Sequence, residues 1–251
     1  MSLELWQYAL LTSVGVIGGF LNVMAGGGSL IMVPVMIFLG IPGPVANGTN
    51  RIALLAQNAV AILTFMRKGF SDLKLSLSLA ACALPGAVLG AIYGTQLEGA
   101  WFNRVVAFIM IGVMLWTWLG PKESALDHPP PTRNRLIVGH LMMVVIGMYG
   151  GFIQIGVGFI IMPVLQRVIG MDMVRVNMHK VFVVGVYMIA TLAIYASRVE
   201  ILWMVGVALA MGTSLGGWIG ARISISRGEE TIKMVLNVVL VVFIIKLLFF
   251  T

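Results

Sequence analysis

The sequence predicts an all-α integral membrane protein. It should hold about ten hydrophobic segments in two inverted five-segment repeats, with short broken or re-entrant helices near 26–40 and 156–170. Three observations lead there. The 251 residues are 60% hydrophobic and only 10% charged, whereas an ordinary soluble domain is roughly a quarter charged. Apolar runs recur along the whole length, which excludes a single anchor carrying a soluble head. Short motifs of the first half also return, in order, in the second.

Taken in order, the first apolar run covers 5–24. It follows Met-Ser-Leu-Glu, which lacks the basic stretch and small-residue cleavage site of a signal peptide, so it reads as a retained first helix. The run at 29–40 is too short to cross, since at 1.5 Å per residue it spans roughly 18 Å of a ~30 Å core. Runs at 48–66, 75–97 and 101–119 are near the ~20 residues a crossing needs. The stretch "GPKESALDHPPPTRNR" then reads as aqueous, and its three consecutive prolines as an extended linker. It divides the chain into a first repeat at 1–120, a cytoplasmic linker at 121–135 and a second, inverted repeat at 136–251. The second half offers runs at 136–155, 176–196, 201–221 and 231–250, with another short one at 159–170.

The repeat rests on matched motifs. "GAVLGA" at 86–91 returns as "GGWIGA" at 216–221, and at the same spacing Gly40 returns as Gly170 and Asn47 as Asn177. "GGFLN" at 18–22 answers "GGFIQ" at 150–154, and Pro34 answers Pro163. Basic residues prefer cytoplasmic loops, and they decide the orientation of the copies. With five crossings per half and both termini outside, twelve of the 16 Lys and Arg fall in the cytoplasm; Arg51, Arg104, Arg198 and Lys246 do not. Counting each broken pair as one crossing splits them evenly, so inversion fits better.

The broken segments suggest what the protein does. An interrupted helix frees backbone N–H groups inside lipid, which is tolerable only against protein, water or ligand. At a helix N-terminus such groups favour an anion. Gly26, Gly27 and Gly28, ahead of the run at 29–40, are expected to let a ligand approach the backbone. Asn47 and Thr49 are good N-cap types ahead of a helix at about 50–66. Asn22 and Gln154 hold equivalent places after Gly-Gly-Phe, and "VNMHK" at 176–180 answers "ANGTNR" at 46–51, setting Asn177, His179 and Lys180 opposite Asn47, Thr49 and Asn50. Lys180 and Arg51 would supply positive potential, and His179 can titrate near neutral pH. The expected substrate cavity is therefore lined by Asn22, Gly26, Gly27, Gly28, Asn47, Thr49, Gln154, Asn177 and His179, with Arg51 and Lys180 beside it.

Other chemistry is poorly served. The net charge of +7 is scattered between apolar runs, so basic loops explain it better than nucleic acid. The single Cys82 excludes an internal disulfide or thiolate metal site and reads as a packing residue. No HExxH zinc motif and no nucleotide-binding Gly-Lys-Ser/Thr occurs, so neither an intramembrane enzyme nor a cofactor is expected. All nine carboxylates lie at or near the ends of apolar runs, whereas a cation carrier or proton pump usually places an acid within the membrane. An anion is the expected cargo. The spacings Gly86/Gly90/Gly94 and Gly212/Gly216/Gly220 read as small-xxx-small packing faces, which would also allow a homodimer.

At "GFLNVMAGGGSLIMVPVMIFLGIPGPVANGT", "GFIQIGVGFIIMPVLQRVIG" and the paired "GAVLGA" and "GGWIGA", the sequence resembles the sulfite exporter TauE/SafE family of membrane permeases. "VNMHK" departs from the pattern where a copy of Ala-x-Gly-Thr would stand. The resemblance implies secondary transport, often outward, of sulfite, sulfoacetate or other sulfonates across a bacterial cytoplasmic membrane. A channel or a non-transporting membrane subunit is the competing reading.

Overall fold

Each apolar run within the described residues forms a helix, and several of the ends fall where the chain supplies a cap or a turn-forming glycine. The computed structural model describes residues 3–96 and 132–249. The run expected at 101–119 and the linker from 121 to 131 lie outside them. Helix α1 (Leu5–Ala25) opens with a capping box between Glu4 and Gln7 and stops at Gly26. There φ is 80°, and the Gly26 N–H returns to the carbonyls of Leu21 and Asn22. Helix α2 (Ser29–Phe38) has only ten residues and is followed by Gly40, at φ 85°.

Helix α3 (Gly43–Arg67) begins earlier than its apolar run, because Pro44 sits in its first turn, where proline's fixed φ favours a helix start. Asn47 and Thr49 therefore lie one turn inside α3 and are not its caps, a correction to the expected start near 50. Helix α4 (Leu73–Gly94) is capped by the Asp72 carboxylate, which accepts from the Leu75 N–H at 3.1 Å.

The second half has a similar order of elements. Helix α5 (Arg133–Phe152) runs into Gln154, the one described non-glycine residue with positive φ, at 67°. Helix α6 (Gly158–Pro163) passes directly into a π-helical turn at Val164–Ile169 and stops at Gly170, φ 93°. Helix α7 (Met173–Arg198) is capped by Asp172, whose side chain accepts from the N–H groups of Val174 and Arg175. Helix α8 (Trp203–Phe249) is broken at Gly228, φ 68° and ψ −161°, into arms of 203–228 and 229–249.

The described residues are all-helical, without strands. Five helical stretches are long and apolar enough to cross a membrane: α1, α4, α5, α7 and the first arm of α8. Helix α3 is long enough, with 25 residues, but is less apolar than these. Large apolar side chains point outward along the crossing helices, among them Ile17, Leu77, Val145, Ile189 and Met211. That would be an aggregation hazard in water and is the expected surface in lipid.

Inside lipid, close packing must replace the hydrophobic drive between helices, and glycine supplies it here. A Cβ at Gly86, Gly90 or Gly94 of α4 would collide with the carbonyl of Val144, Met148 or Phe152 on α5. Likewise Gly212 and Gly216 of α8 lie on the carbonyls of Thr12 and Val16, and Gly220 lies against Phe20, all on α1. The contacts advance together along both chains, so α4 runs parallel to α5, and α8 to α1. Both glycine faces are thus buried within one chain. They offer no seam to a second copy, which removes the basis given for a homodimer.

Helix α3 and helix α7 cross antiparallel at the centre. Gly48 near the start of α3 meets Tyr195 near the end of α7, and mid-helix Asn58 and Ile62 meet Gly185. Phe65 and Met66 share a small pocket with Met178 and Phe182, at the opposite ends of the two helices.

Candidate functional site

The site is built on the central α3/α7 pair. Asn47, Asn50, Arg51, Gln57 and Asn58 recur at helical spacing, share one side of α3, and are all buried. Such a stripe explains why α3 is the least apolar of the long helices.

Arg51 is fully buried, at 0% exposure. Its Nη2 donates to the Gly151 carbonyl at 2.6 Å and its Nη1 to Gly150 at 3.5 Å, both in the last turn of α5. Its guanidinium also stacks 4.0 Å from the centroid of the Tyr195 ring. Asn47 Nδ2 donates to the Tyr195 hydroxyl at 2.8 Å and to the Phe152 carbonyl at 3.3 Å, and the Tyr195 hydroxyl donates to that same carbonyl. Helix α3 thereby grips the end of α5.

Lys180 makes the reciprocal contact and is 3% exposed. Its Nζ donates to the Val23 carbonyl in the last turn of α1 at 2.7 Å, to Asn177 Oδ1 at 2.8 Å, and lies 3.6 Å from the Met162 sulfur. Asn177 Nδ2 in turn reaches Ser224 Oγ at 3.2 Å. Neither cation snorkels toward a surface. Among the described residues no Asp or Glu is buried, and the recorded ion pair, Arg175 with Asp172 at 3.3 Å, lies at the exposed start of α7. Two buried basic groups thus have only neutral partners. Taking an ion out of water costs several kcal/mol, so this arrangement needs a reason.

The paired amides behave alike. Asn22 Nδ2 donates to Gln57 Oε1 at 3.2 Å, and Gln154 Oε1 accepts from the Tyr187 hydroxyl at 2.8 Å. Gln57 and Tyr187 hold equivalent places, each ten residues beyond Asn47 or Asn177 along α3 and α7. Thr49 Oγ1 accepts from the Leu202 N–H at 3.1 Å, just ahead of α8, while His179 Nδ1 bonds Ser76 Oγ at 2.8 Å in the first turn of α4.

The glycine triplet is accounted for by packing. Gly26 rests directly on Gly158, so the two broken segments touch backbone to backbone; Gly27 lies under the Phe159 ring and Gly28 on the Gly18 carbonyl. A side chain at any of the three would collide with these neighbours. No hydrogen bond is formed by the N–H of Gly27 or Gly28 among the described residues.

The predicted residues thus form two layers joined by α3 and α7. Arg51 and Asn47 belong to one, Asn177, Lys180 and His179 to the other, and Asn22, Gln154 and the glycines line the breaks between. Sequence reasoning missed Asn50, Gln57 and Asn58, and the hydroxyls of Tyr187, Tyr195, Ser29, Ser76 and Ser224. Side-chain atoms of Asn50 (Oδ1), Arg51 (Nε), Gln57 (Nε2) and Asn58 (Nδ2) are buried without a partner, although Asn50 Nδ2 reaches Ser29 Oγ at 3.1 Å. The signal was present as a polar period of three and four through 47–58 in an apolar context. No group of three or more His, Cys, Asp or Glu able to hold a metal occurs among the described residues.

Comparison with known proteins places the chain among membrane transporters. A sequence model of the family described as "Sulfite exporter TauE/SafE" matches residues 11–247. The chain is 30% identical to a Sinorhizobium protein named "Probable membrane transporter protein ORF9", over 96% of this chain and 92% of that one. It is 27% identical to a "Probable membrane transporter protein" of Haemophilus influenzae, over 90% and 88%. It is 23% identical to "Probable membrane transporter protein YfcA" of Escherichia coli, over 94% and 87%. No solved structure matches.

Proposed function

The chain belongs to the sulfite exporter TauE/SafE family of multi-pass membrane transporters, and from that premise we propose that it carries sulfur-containing anions, such as sulfite, sulfoacetate or other sulfonates, outward across a bacterial cytoplasmic membrane by alternating access. One observation carries the anion: Arg51 and Lys180 are buried at the core with neutral partners, while no described carboxylate is buried beside them. A tetrahedral or pyramidal oxyanion gives whichever cation it meets the charge-assisted bonds that carbonyls give weakly. The unpaired donors Arg51 Nε, Gln57 Nε2 and Asn58 Nδ2 add a dipolar shell suited to several oxygens. The sulfur in the substrate comes from the family's name.

The inverted repeat belongs to the same proposal. Helices α3 and α7, equivalent by sequence, cross antiparallel at their middles, as a two-fold axis in the membrane plane requires. Because α4 follows α3, and α8 follows α7, through short connections, α4 and α8 also oppose. Their parallel partners α5 and α1 must then oppose as well. The matched pairs Asn22–Gln57 and Gln154–Tyr187 support the same axis.

Purified protein in liposomes should accelerate counterflow of radiolabelled sulfite when sulfite or sulfoacetate is present on the opposite side. Saturable exchange of a sulfur-free anion, with none of these competing, would reject the substrate class. Leak without exchange acceleration would instead reject a carrier.

A further inference from the structure

We propose that Arg51 and Lys180 are two opposed latches that close the anion path from opposite faces of the membrane. Each grips carbonyls at the C-terminal end of the other half's first helix. The inference rests on the transporter reading and adds how access is controlled.

Their partners are unusual for buried cations. Arg51, from the first half, holds Gly150 and Gly151 at the end of α5; Lys180, from the second, holds Val23 at the end of α1. The last carbonyls of a helix lack intrahelical donors and carry partial negative charge, so each helix end occupies its cation much as a weak anion would. Just beyond each grip the backbone turns through a positive φ, at Gln154 after α5 and at Gly26 after α1. Each cation therefore fastens a helix end directly beside a bend where that helix can pivot.

The two grips lie at opposite ends of the central pair. Arg51 is seven residues from Asn58 along α3, and Lys180 is five residues from Gly185 along α7, where Asn58 and Gly185 meet. At 1.5 Å per residue in antiparallel helices, the latches are about 18 Å apart along the pair. Between them stand Gln57 and Asn58, whose amide nitrogens have no partner. An oxyanion bound there competes with the carbonyls for either cation, because an ionised acceptor makes the stronger bond. Releasing the end of α5 would open one face, and releasing the end of α1 the other.

The test is sided accessibility without substrate. In a Cys82→Ser background, Asn58→Cys serves as reporter at the central crossing, where the native residue is buried. A membrane-impermeant maleimide is applied to intact cells and to inside-out vesicles. Arg51→Gln should speed labelling at least tenfold from one side only, and Lys180→Met from the opposite side only. Acceleration from the same side in both, or from neither in folded protein, overturns the latches. Should Arg51→Gln fail to fold, Tyr195→Phe loosens the same grip at Phe152 and must open the same side more weakly. Asn177→Ala does so for Lys180. Because the readout needs no added sulfur anion, sided labelling survives if no sulfur anion is carried. Sulfite exchange with unsided labelling would instead retire the latches alone.

Discussion

Replacing Lys180 by Met separates a structural role from a functional one. Met fills much of the lysine's volume but removes the Nζ bonds to the Val23 carbonyl (2.7 Å) and Asn177 Oδ1 (2.8 Å). Leaving those two acceptors unmet costs about 1–3 kcal/mol each. Against this stands relief from holding a basic group away from water without a carboxylate, worth several kcal/mol. The two nearly cancel, so stability in detergent should stay within about 1–2 kcal/mol of the parent. Binding should not be spared. A hydrogen bond to a charged group contributes about 1.5–3 kcal/mol, so affinity for sulfite should fall about 10- to 100-fold. Thermal unfolding with and without sulfite, together with a direct binding isotherm, reads both quantities. A loss of 3–5 kcal/mol in stability with unchanged affinity would refute the argument, since Lys180 would then hold the helices together and nothing more.

Asn47→Ala should weaken anion binding roughly tenfold, because the loosened Tyr195 and Phe152 contacts leave Arg51 less well placed; if both it and Asn177→Ala bind like the parent, the site lies elsewhere. Gly90→Val should destabilise by about 1–3 kcal/mol or more, since its side chain meets the Met148 carbonyl, whereas Gly69→Ala, with nothing within 4 Å, pays only for its φ of 81°; equal melting temperatures would contradict the glycine packing. His179→Gln should flatten the pH dependence of transport if His179 carries a coupled proton, and an unchanged profile removes it from that role. Cysteines at Ser71 and Ser197, at opposite ends of the central pair, should be labelled from opposite faces, Ser71 from the cytoplasm; labelling of both from one face would break the topology.

The sequence by itself determined the solvent. Runs of ~20 apolar residues can only be membrane helices here, and Gly26, Gly40, Gly156 and Gly170 mark the chain reversals because few other residues accept their positive φ. The confinement of carboxylates to the ends of apolar runs was equally local, needing only position along the chain. What the sequence misjudged were matters of register and partner. "GAVLGA" aligns by eye with "GGWIGA", yet the contacts pair Gly90 with Gly216, because Met148 and Val16 are their equivalent neighbours. Glycines every four residues look the same after a shift of one turn, so only the facing helix fixes the register.

Tertiary structure alone decided the partners of the candidate residues. Asn47 reads as a cap until α5 and α7 bring Phe152 and Tyr195 to its amide. Gly26 to Gly28 read as a ligand's approach until Gly158, Phe159 and Gly18 fill the space that their missing side chains leave. Arg51 and Lys180 read as positive charges beside a cavity until the fold turns each toward the carbonyls of the opposite half. Caps, breaks and lipid-facing surfaces are set by neighbours a few residues away and can be read along the chain. The partners of a buried cation are set by which helices the glycine faces allow to touch, and those contacts exist only once the two halves have packed.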